Sequence, residues 1–306
     1  MSAPLSAADA IDAVNAANGS HAGHRALHAK GTLLQGTFTP TPEAAELTSA
    51  AHMQGPAVPV TFRFSNGSGN PRHPDYAPDP RGLACKLYLP DGSRTDVVAV
   101  TTPVFPVSTP EAFIELIRAQ GAGPAAAVRL PLVIARHPSI LRTMPATLPS
   151  LRPPAGYNTV RYHGIHAFRW TSAAGLTSGV RYRLLPEDRE AHLSPRAARG
   201  RSRDYLQEGI RERLKQGPVA FLYEVQIAAP SDRLEDPSVA WPGSRRRVTV
   251  GRFEITGLET GRETAGDVLV FDPTRVTSGI ELSDDPVLRF RRDAYSESVA
   301  RRVASG

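Results

Sequence analysis

Three histidines lie close together near the start of the chain, at His21, His24 and His28. A histidine side chain titrates near neutral pH, so it can take and return a proton, and its ring nitrogens also bind metals. The stretch has three interpretations: a polar helix end followed by a turn at Gly31, a metal site, or a catalytic proton carrier. The metal interpretation needs a helix here, because residues spaced i, i+3 and i+7 share one helical face.

A second group of chemically capable residues lies near the other end of the chain. Arg291 and Tyr295 are four residues apart, so they would share one face of the helix that the pattern predicts over residues 286–302. Arg302, seven residues beyond Tyr295, would lie on that face as well. On its own, a tyrosine flanked by arginines is typical of a packing residue on a surface helix.

The composition is that of a globular protein and sets limits on its class. With 306 residues, 41% hydrophobic and 22% charged, we predict a single domain spanning residues 1–306. No run approaches the roughly 20 apolar residues that a membrane span needs. The N-terminus lacks the basic and apolar regions of a secretory signal, and the single cysteine, Cys85, excludes an internal disulfide. We therefore expect a cytoplasmic protein with no integral membrane segment.

The positive charge of the chain raises the question of nucleic acid. The formal net charge is +6 and the pI is about 9.8, and nearly all of the positive charge comes from arginine. The basic segments at 195–203 and 244–247 contain no interleaved aromatic residues, and no nucleic-acid-binding module is present. We expect a solvated basic surface and no nucleic-acid partner. Arginine also suits a buried anion, because its planar fork matches a carboxylate.

The residue pattern alternates between helical and strand periods along the chain. Helical patterns cover residues 5–17, 42–47, a segment capped by Thr109, 123–150 with proline breaks, 201–216 and 286–302. Strand patterns cover residues 58–65, 83–89, 96–101, 161–170, 180–185, 220–227 and 247–255. Helices at both ends with strands between them predict an α+β fold built on an antiparallel sheet or barrel.

Five motifs in a fixed order give the chain a family resemblance. They are Arg25–Gly31, Arg63–Ser65, Asp79–Gly82, Phe271–Pro273 with Gly279–Glu281, and Arg291 with Tyr295. Together they make residues 24–302 resemble the haem catalases, and most closely the short catalase-related peroxidases of bacteria. The resemblance implies an antiparallel β-barrel core with peripheral helices, haem b as cofactor, and a C-terminal helix that supplies the haem ligand.

The resemblance also implies a role for individual residues. His28 would be the distal catalytic histidine, Ser65 the hydrogen-bond partner that orients it, and Tyr295 the proximal ligand of the haem iron. A cationic neighbour such as Arg291 stabilises an anionic phenol oxygen. The remaining cofactor contacts that the resemblance implies are Arg25, Arg63 and Arg302 at the haem propionates, Phe113 beside the distal face, Leu27 above the haem, and His166 on the proximal side.

The implied activity is reduction of hydrogen peroxide or an organic hydroperoxide. His28 would move a proton from the near to the far peroxide oxygen, and heterolysis would leave an oxoferryl haem that an organic donor or a second peroxide reduces. Val100 stands where full-size catalases carry an asparagine that helps to hold peroxide. A valine donates no hydrogen bond, and Thr101 beside it is the polar group that would have to reach the peroxide. We therefore expect a peroxidase with weak or no catalase activity.

Two other functions use the same frame. An allene-oxide-synthase-like isomerase of fatty-acid hydroperoxides would share the haem, and a non-catalytic haem or lipid carrier would share the barrel. The presence of both His28 and Ser65 argues against a carrier, because a carrier needs no proton relay. The sequence also lacks the long N-terminal arm and C-terminal extension of full-size catalases. We therefore expect room for bulkier organic or lipid substrates, and a homodimer in place of an interlocked tetramer.

Overall fold

Antiparallel strands form a closed barrel, with helices packed against one side of it. The computed structural model describes residues 4–261 and 268–304. Its helices are α1 (Ala7–Asn18), α2 (Pro42–Leu47), α3 (Pro110–Gln120), α4 (Ala126–Arg136), α5 (Ser139–Thr147), α6 (Pro195–Arg199), α7 (Tyr205–Leu214) and α8 (Pro286–Ala304). Its strands are β1 (Gly31–Pro40), β2 (Val58–Asn66), β3 (Arg81–Tyr88), β4 (Arg94–Val100), β5 (Tyr162–His163), β6 (Phe168–Thr171), β7 (Thr177–Pro186), β8 (Val219–Ile227), β9 (Arg247–Leu258) and β10 (Ile280–Leu282).

Eight of these strands close the barrel in the order β7-β5-β4-β3-β2-β1-β9-β8, because β8 pairs again with β7. Strand β6 pairs with β7 beyond the end of β5, and β10 pairs with β6. Every pairing is antiparallel, so the predicted α+β fold with an antiparallel barrel is confirmed. The barrel has no open edge between its first and last strands.

The helix starts follow the caps that the sequence supplies. The Ser6 hydroxyl accepts a hydrogen bond from the backbone N–H of Asp9, and the Thr109 hydroxyl accepts one from Ala112. Proline occupies the first positions of α2 and α3, where its missing N–H costs nothing. None of the helices in the described segments is long and apolar enough to cross a membrane.

The structure contains two strands, β1 and β10, in segments for which the sequence pattern predicts none. It also corrects one prediction: the single strand predicted over residues 161–170 is two strands, β5 and β6. The interruption falls at Gly164, whose backbone N–H donates to the carbonyl of Tyr182. A Cβ at Gly164 would lie 2.3 Å from the Tyr182 ring, so the chain crosses this ring too closely for any side chain.

Alternation along the strands separates the core from the functional face. Phe62 and Phe64 of β2 belong to the main hydrophobic cluster, in which Phe64 stacks on Tyr157 with ring centroids 5.0 Å apart. The side chains between and after them, Arg63 and Ser65, point to the opposite face, because successive residues of a strand alternate. Aromatic rings therefore fill the barrel interior, and Arg63 and Ser65 lie on its outer face under the helices.

One buried histidine of this core should make the fold sensitive to acid. His52 is 2% exposed, its ring packs 6.0 Å from that of Phe38, and its Nδ1 atom has no hydrogen-bond partner among the described residues. Burial lowers the pKa of His52 to about 4. In the unfolded chain this histidine has its ordinary pKa of 6.5. Between pH 6.5 and about pH 4 the unfolded chain therefore binds a proton at His52 and the folded chain does not.

We accordingly expect the free energy of unfolding to fall as the pH drops from 6.5 to 4, by about 1.4 kcal/mol per pH unit for this residue. The variant His52→Leu places an apolar side chain of similar size at this buried position and removes the titratable group. Its free energy of unfolding should therefore depend less steeply on pH between 6.5 and 4. Urea denaturation followed by circular dichroism at a series of pH values measures both slopes. Equal slopes in the two proteins would contradict the prediction.

Candidate active site

A cavity of about 830 Å³ lies between the outer face of β2, β3 and β4 and the helices α1, α3, α4, α5 and α8. It collects side chains from distant parts of the sequence, and most of its walls are apolar. Nine of the residues predicted for the site line it: Arg25, Leu27, His28, Arg63, Ser65, Phe113, Arg291, Tyr295 and Arg302. The tenth, His166, does not line the cavity, whereas its neighbour Ile165 does.

His28 is held in an unusual backbone conformation. Its φ is +55°, and no other described residue except glycine has a positive φ. Its backbone N–H donates to the carbonyl of Gly67 at 3.0 Å, and the next N–H, of Ala29, donates to Ser68 at 3.1 Å. These two hydrogen bonds to the loop after β2 hold the left-handed turn and present the imidazole to the cavity. Backbone strain of this kind is found where a side chain must occupy one position.

The imidazole of His28 is bonded to Ser65. Its Nδ1 atom lies 3.0 Å from the Ser65 hydroxyl oxygen. Gly82, paired with Ser65 across β2 and β3, leaves the space for this contact. A Cβ at Gly82 would lie 2.7 Å from the Ser65 hydroxyl and 3.0 Å from Nδ1 of His28. Gly82 belongs to one of the five motifs, but the sequence does not show that it makes room for the His28–Ser65 contact, because that contact joins distant segments.

The electrostatic surroundings keep His28 neutral. Burial lowers its pKa to about 3, with further lowering by the positive charges of Arg63, Arg291, Arg25 and Arg81. A neutral imidazole at neutral pH can accept a proton. The Ser65 contact occupies Nδ1, so Nε2 is the ring nitrogen left to take that proton from a ligand in the cavity.

Val100 and Thr101 lie close to Gly82, the residue that contacts the His28–Ser65 pair. Val100 lines the cavity and pairs with Gly82 across β3 and β4, and its side chain has no hydrogen-bonding atom. The neighbouring Thr101 hydroxyl accepts a hydrogen bond from the Arg81 N–H at 3.0 Å and lies 3.4 Å from the Ser150 carbonyl oxygen. It is therefore engaged with the backbone and does not line the cavity. A ligand beside Val100 receives no hydrogen bond from either side chain.

Two separate sets of hydrogen bonds involve α8, the helix that carries Tyr295. Arg291, which lies one turn before Tyr295 on α8, donates from Nη1 to the Tyr295 hydroxyl oxygen at 3.0 Å. The Asp285 carboxylate accepts from the first backbone N–H groups of α8, at Val287 and Leu288, and from Nδ1 of His166 at 2.6 Å. Asp285 thus caps the helix that carries Tyr295 and also fixes the His166 ring.

His166 is buried, and burial followed by the charge of Arg291 lowers its pKa to about 4. Its Nε2 atom has no hydrogen-bond partner in the part of the chain that the structure describes. Sequence reasoning missed Asp285, although an aspartate directly before Pro286 is a recognisable helix-start signal.

The three remaining arginines bring positive charge to the cavity wall. Arg25 Nη2 donates to the carbonyl of Leu269 at 2.6 Å, and Arg302 Nη2 reaches the same carbonyl at 3.5 Å. Arg63 Nη2 donates to the Ala29 carbonyl at 3.1 Å. Guanidinium groups from the two ends of the chain therefore converge on one carbonyl, beside a cavity that is otherwise mainly apolar. This arrangement suits an apolar ligand that carries carboxylates.

The helical metal site considered for the N-terminal histidines is not formed. Helix α1 ends at Asn18, and residues 19–30 form turns, so His21, His24 and His28 share no helical face. His21 and His24 lie at a separate surface depression, whereas His28 lines the large cavity. Over residues 4–261 and 268–304, no group of three or more His, Cys, Asp or Glu side chains could hold a metal ion.

Similarity to known proteins identifies the family of this chain. Residues 3–306 match the Catalase family model. The chain is 51% identical over 303 residues to a catalase-related peroxidase of Mycolicibacterium paratuberculosis. The matched region covers 99% of this chain and 96% of that protein. It is 32% identical to a catalase-related peroxidase of Synechococcus elongatus, over 91% of this chain and 83% of that protein. It is 26% identical to a catalase of Latilactobacillus sakei, over 92% of this chain and 62% of the longer protein. The chain belongs to the catalase family.

Proposed function

We propose that this protein is a haem-dependent peroxidase that reduces hydrogen peroxide or an organic hydroperoxide at the expense of an organic donor. The observation that carries the proposal is that the His28–Ser65 pair and the Tyr295–Arg291 pair face the same cavity. One pair supplies a neutral proton acceptor, and the other supplies an oxygen ligand beside a fixed cation. The names of two similar proteins, both catalase-related peroxidases, support the same activity.

The cavity residues fit a haem group. The volume of about 830 Å³ falls within the roughly 300–1,000 Å³ of typical ligand and cofactor pockets. Apolar walls suit a porphyrin, and the converging guanidinium groups suit its two carboxylates. The phenol oxygen of Tyr295 is an acceptor in its bond to Arg291, because a guanidinium only donates, and this polarity suits a ligand to ferric iron.

In this proposal the residues that line the cavity divide the work of holding haem b. Tyr295 would bind the iron, and Leu27 and Phe113 would pack against the ring. The carboxylate partners would be Arg25, Arg63 and Arg302. His166 would act from behind the wall, through Asp285 and the start of α8, and not by touching the cofactor. Bound haem would supply the redox chemistry.

The proton chemistry belongs to His28. Its Nε2 atom would take the proton from the peroxide oxygen nearer the cofactor and return it to the farther oxygen, which then leaves as water from hydrogen peroxide or as an alcohol from an organic hydroperoxide. Ser65 would hold the ring in the required orientation through Nδ1. The left-handed backbone of His28 and the loop carbonyl of Gly67 would fix its height in the cavity. Because Val100 and Thr101 offer the peroxide no further hydrogen bond, a second hydrogen peroxide would be held poorly, and donor oxidation would outpace oxygen release.

The role of Gly82 gives a direct test of this geometry. We expect Gly82→Ala to slow the reaction with peroxide about 100-fold, because the new methyl group displaces the His28–Ser65 pair by a fraction of an ångström to an ångström. Gly257→Ala is the matched control, since a Cβ at Gly257 would lie 3.6 Å from the nearest neighbouring atom, in the Gln35 side chain. Haem content and thermal unfolding should be unchanged in the control, and haem content should be retained in Gly82→Ala. Equal rates in the two variants would contradict the assigned geometry.

The activity itself is tested on the purified chain reconstituted with haem. We expect a ferric tyrosinate absorption spectrum, oxidation of an organic donor when hydrogen peroxide or cumene hydroperoxide is added, and little oxygen release from hydrogen peroxide alone. Abundant oxygen would identify a catalase instead. Conversion of a fatty-acid hydroperoxide to an allene oxide without a donor would favour the isomerase, and haem binding without turnover would favour a carrier. A chain that binds no haem would overturn the proposal.

The proposed function also has consequences for the domain organisation, the oligomeric state and the location of the protein. We infer one catalase-like haem-binding domain over residues 1–306, a homodimer, and a cytoplasmic location. The mainly apolar cavity supports a small organic or lipid substrate beside peroxide. Sedimentation velocity on the full chain tests the oligomeric state.

A further inference from the structure

Two short helices, α4 and α5, present large apolar side chains to solvent. Val128 and Leu132 on α4 are 67% and 53% exposed, and Leu141 and Met144 on α5 are 55% and 36% exposed. Leu148, one turn further on, is 54% exposed. These five residues, the α4–α5 surface, make up more than half of the large exposed hydrophobic residues in the described ranges. Such a concentration marks an interaction site, whereas scattered exposed leucines do not.

The outward apolar face is additional to the face that packs inside. Val133 of α4 and Ile140 of α5 are buried in a cluster with α3, so the inner sides of both helices are already satisfied. The outer residues repeat at helical spacing: Val128 and Leu132 are four apart on α4, Leu141 and Met144 are three apart on α5, and Leu148 follows four residues later, just beyond the end of α5. Met144 and Leu148 also line the large cavity. The α4–α5 surface is therefore continuous with the cavity wall.

The charged side chains on α4 and α5 are all arginines. Between Glu115 and Glu187 the chain contains no aspartate or glutamate. Arg129 on α4 and Arg142 on α5 are exposed, and neither makes an ion pair within the described ranges. Arg136 does pair, with Glu115, which also accepts a hydrogen bond from His137. Apolar side chains flanked by arginines are the composition of helices that lie in the headgroup region of anionic membranes.

A second copy of this chain fits the α4–α5 surface poorly. A two-fold dimer would place this surface against itself, because the same patch serves both subunits in such an interface. Arg129 and Arg142 of both copies would then lie at one interface, and neither α4 nor α5 carries a carboxylate to neutralise them. An acidic lipid surface satisfies both the apolar side chains and the arginines.

We propose that the α4–α5 surface docks on an anionic lipid bilayer, with its apolar side chains among the headgroups and its arginines at the phosphates. The helices that form one wall of the large cavity then rest on the membrane. This inference goes beyond the proposed function. Docking needs neither bound haem nor turnover, so membrane binding and peroxidase activity can each be tested, and can each fail, independently.

Co-sedimentation of the full chain with vesicles tests the docking. We expect binding to vesicles of phosphatidylcholine and phosphatidylglycerol in equal parts, weakening as salt is added, and little binding to phosphatidylcholine alone. Arg129→Gln with Arg142→Gln should lower the partition coefficient about 30-fold. Leu132→Gln with Leu141→Gln should lower it at least about tenfold. Leu176→Gln, at a leucine 72% exposed in the turn between β6 and β7, is the matched control and should bind like the wild type.

Three outcomes would overturn the inference. The wild type could fail to sediment with the anionic vesicles, or the arginine and leucine pairs could bind as tightly as the control. The third is a dimer in sedimentation velocity that becomes a monomer in both pairs, which would assign the surface to self-association. Thermal unfolding of every variant guards against a folding defect, and the arginine pair decides the matter if the leucine pair is unstable.

Discussion

Replacing Tyr295 by phenylalanine is expected to abolish stable haem binding and leave the fold intact. The change removes one oxygen atom from a half-buried ring on α8 and keeps the apolar part of the side chain. Loss of an outer partner of a metal ligand typically costs roughly 10–100-fold in affinity, and loss of the ligand itself should cost more. The large effect follows because the other residues around the cavity contribute packing and charge, and the ring oxygen alone would bind the iron.

The measurement is a haem titration followed by absorption spectroscopy, with circular dichroism to show that the variant is folded. Tyr88→Phe is the matched control, since Tyr88 ends β3, does not line the cavity, and has its hydroxyl 3.0 Å from that of Thr61. Arg291→Lys should weaken haem binding by an intermediate amount and alter the spectrum, because a lysine donates differently to the Tyr295 oxygen. Unchanged haem affinity and an unchanged spectrum in Tyr295→Phe would assign the ligand to another residue.

The parts of the fold that could be predicted from sequence are those in which local pattern and tertiary environment agree. Residues 60–65 alternate apolar and polar side chains, and β2 has its aromatic residues in the barrel and Arg63 and Ser65 under the helices. The caps at Ser6 and Thr109 likewise act within one turn of the chain. Interactions of this range are visible in a short window of sequence.

Strand β1 could not be predicted because its glycines serve distant contacts. A Cβ at Gly31 would lie 2.5 Å from the carbonyl oxygen of Phe64 in β2. A Cβ at Gly36 would lie 1.9 Å from the Glu254 carbonyl oxygen in β9, at a shift in the register between these strands. Glycines that indicate turns in a sequence window are here required by strands from the middle and the end of the chain.

In the candidate site, too, some features could be predicted from the sequence and others depend on contacts between distant segments. The family resemblance identified His28, Ser65 and Tyr295 as one set, and the structure brings them to one cavity. The left-handed backbone of His28 was not foreseen, because its φ depends on hydrogen bonds to a loop some 40 residues away. Asp285 was missed because its importance lies in joining His166 to the start of α8, and those two segments are far apart in sequence.

Replacing His28 by asparagine is expected to slow the reaction with peroxide by about 10²–10⁴-fold, the range that a positioned proton carrier contributes. Asparagine is the informative choice because it tolerates a positive φ better than alanine or glutamine does. The variant therefore removes the base without adding backbone strain. Ser65→Ala should cost less, about fivefold, because it removes one hydrogen bond that orients the ring and leaves the ring itself in place. Stopped-flow mixing of the haem-loaded variants with peroxide measures these rates, with haem content as the control.

The pH dependence separates a proton carrier from a residue that only fills space. With a pKa lowered to about 3, His28 accepts a proton at every pH above that value, and protonation removes this ability below it. Carboxylates bound beside Arg25 and Arg63 would offset the positive charges that lower the pKa, so the acid limb of the rate should fall between pH 3 and the ordinary histidine value of 6.5. In His28→Asn this limb should disappear together with the fast rate. A wild-type rate that still rises above pH 7, or a variant that keeps the same acid limb, would show that another group moves the proton.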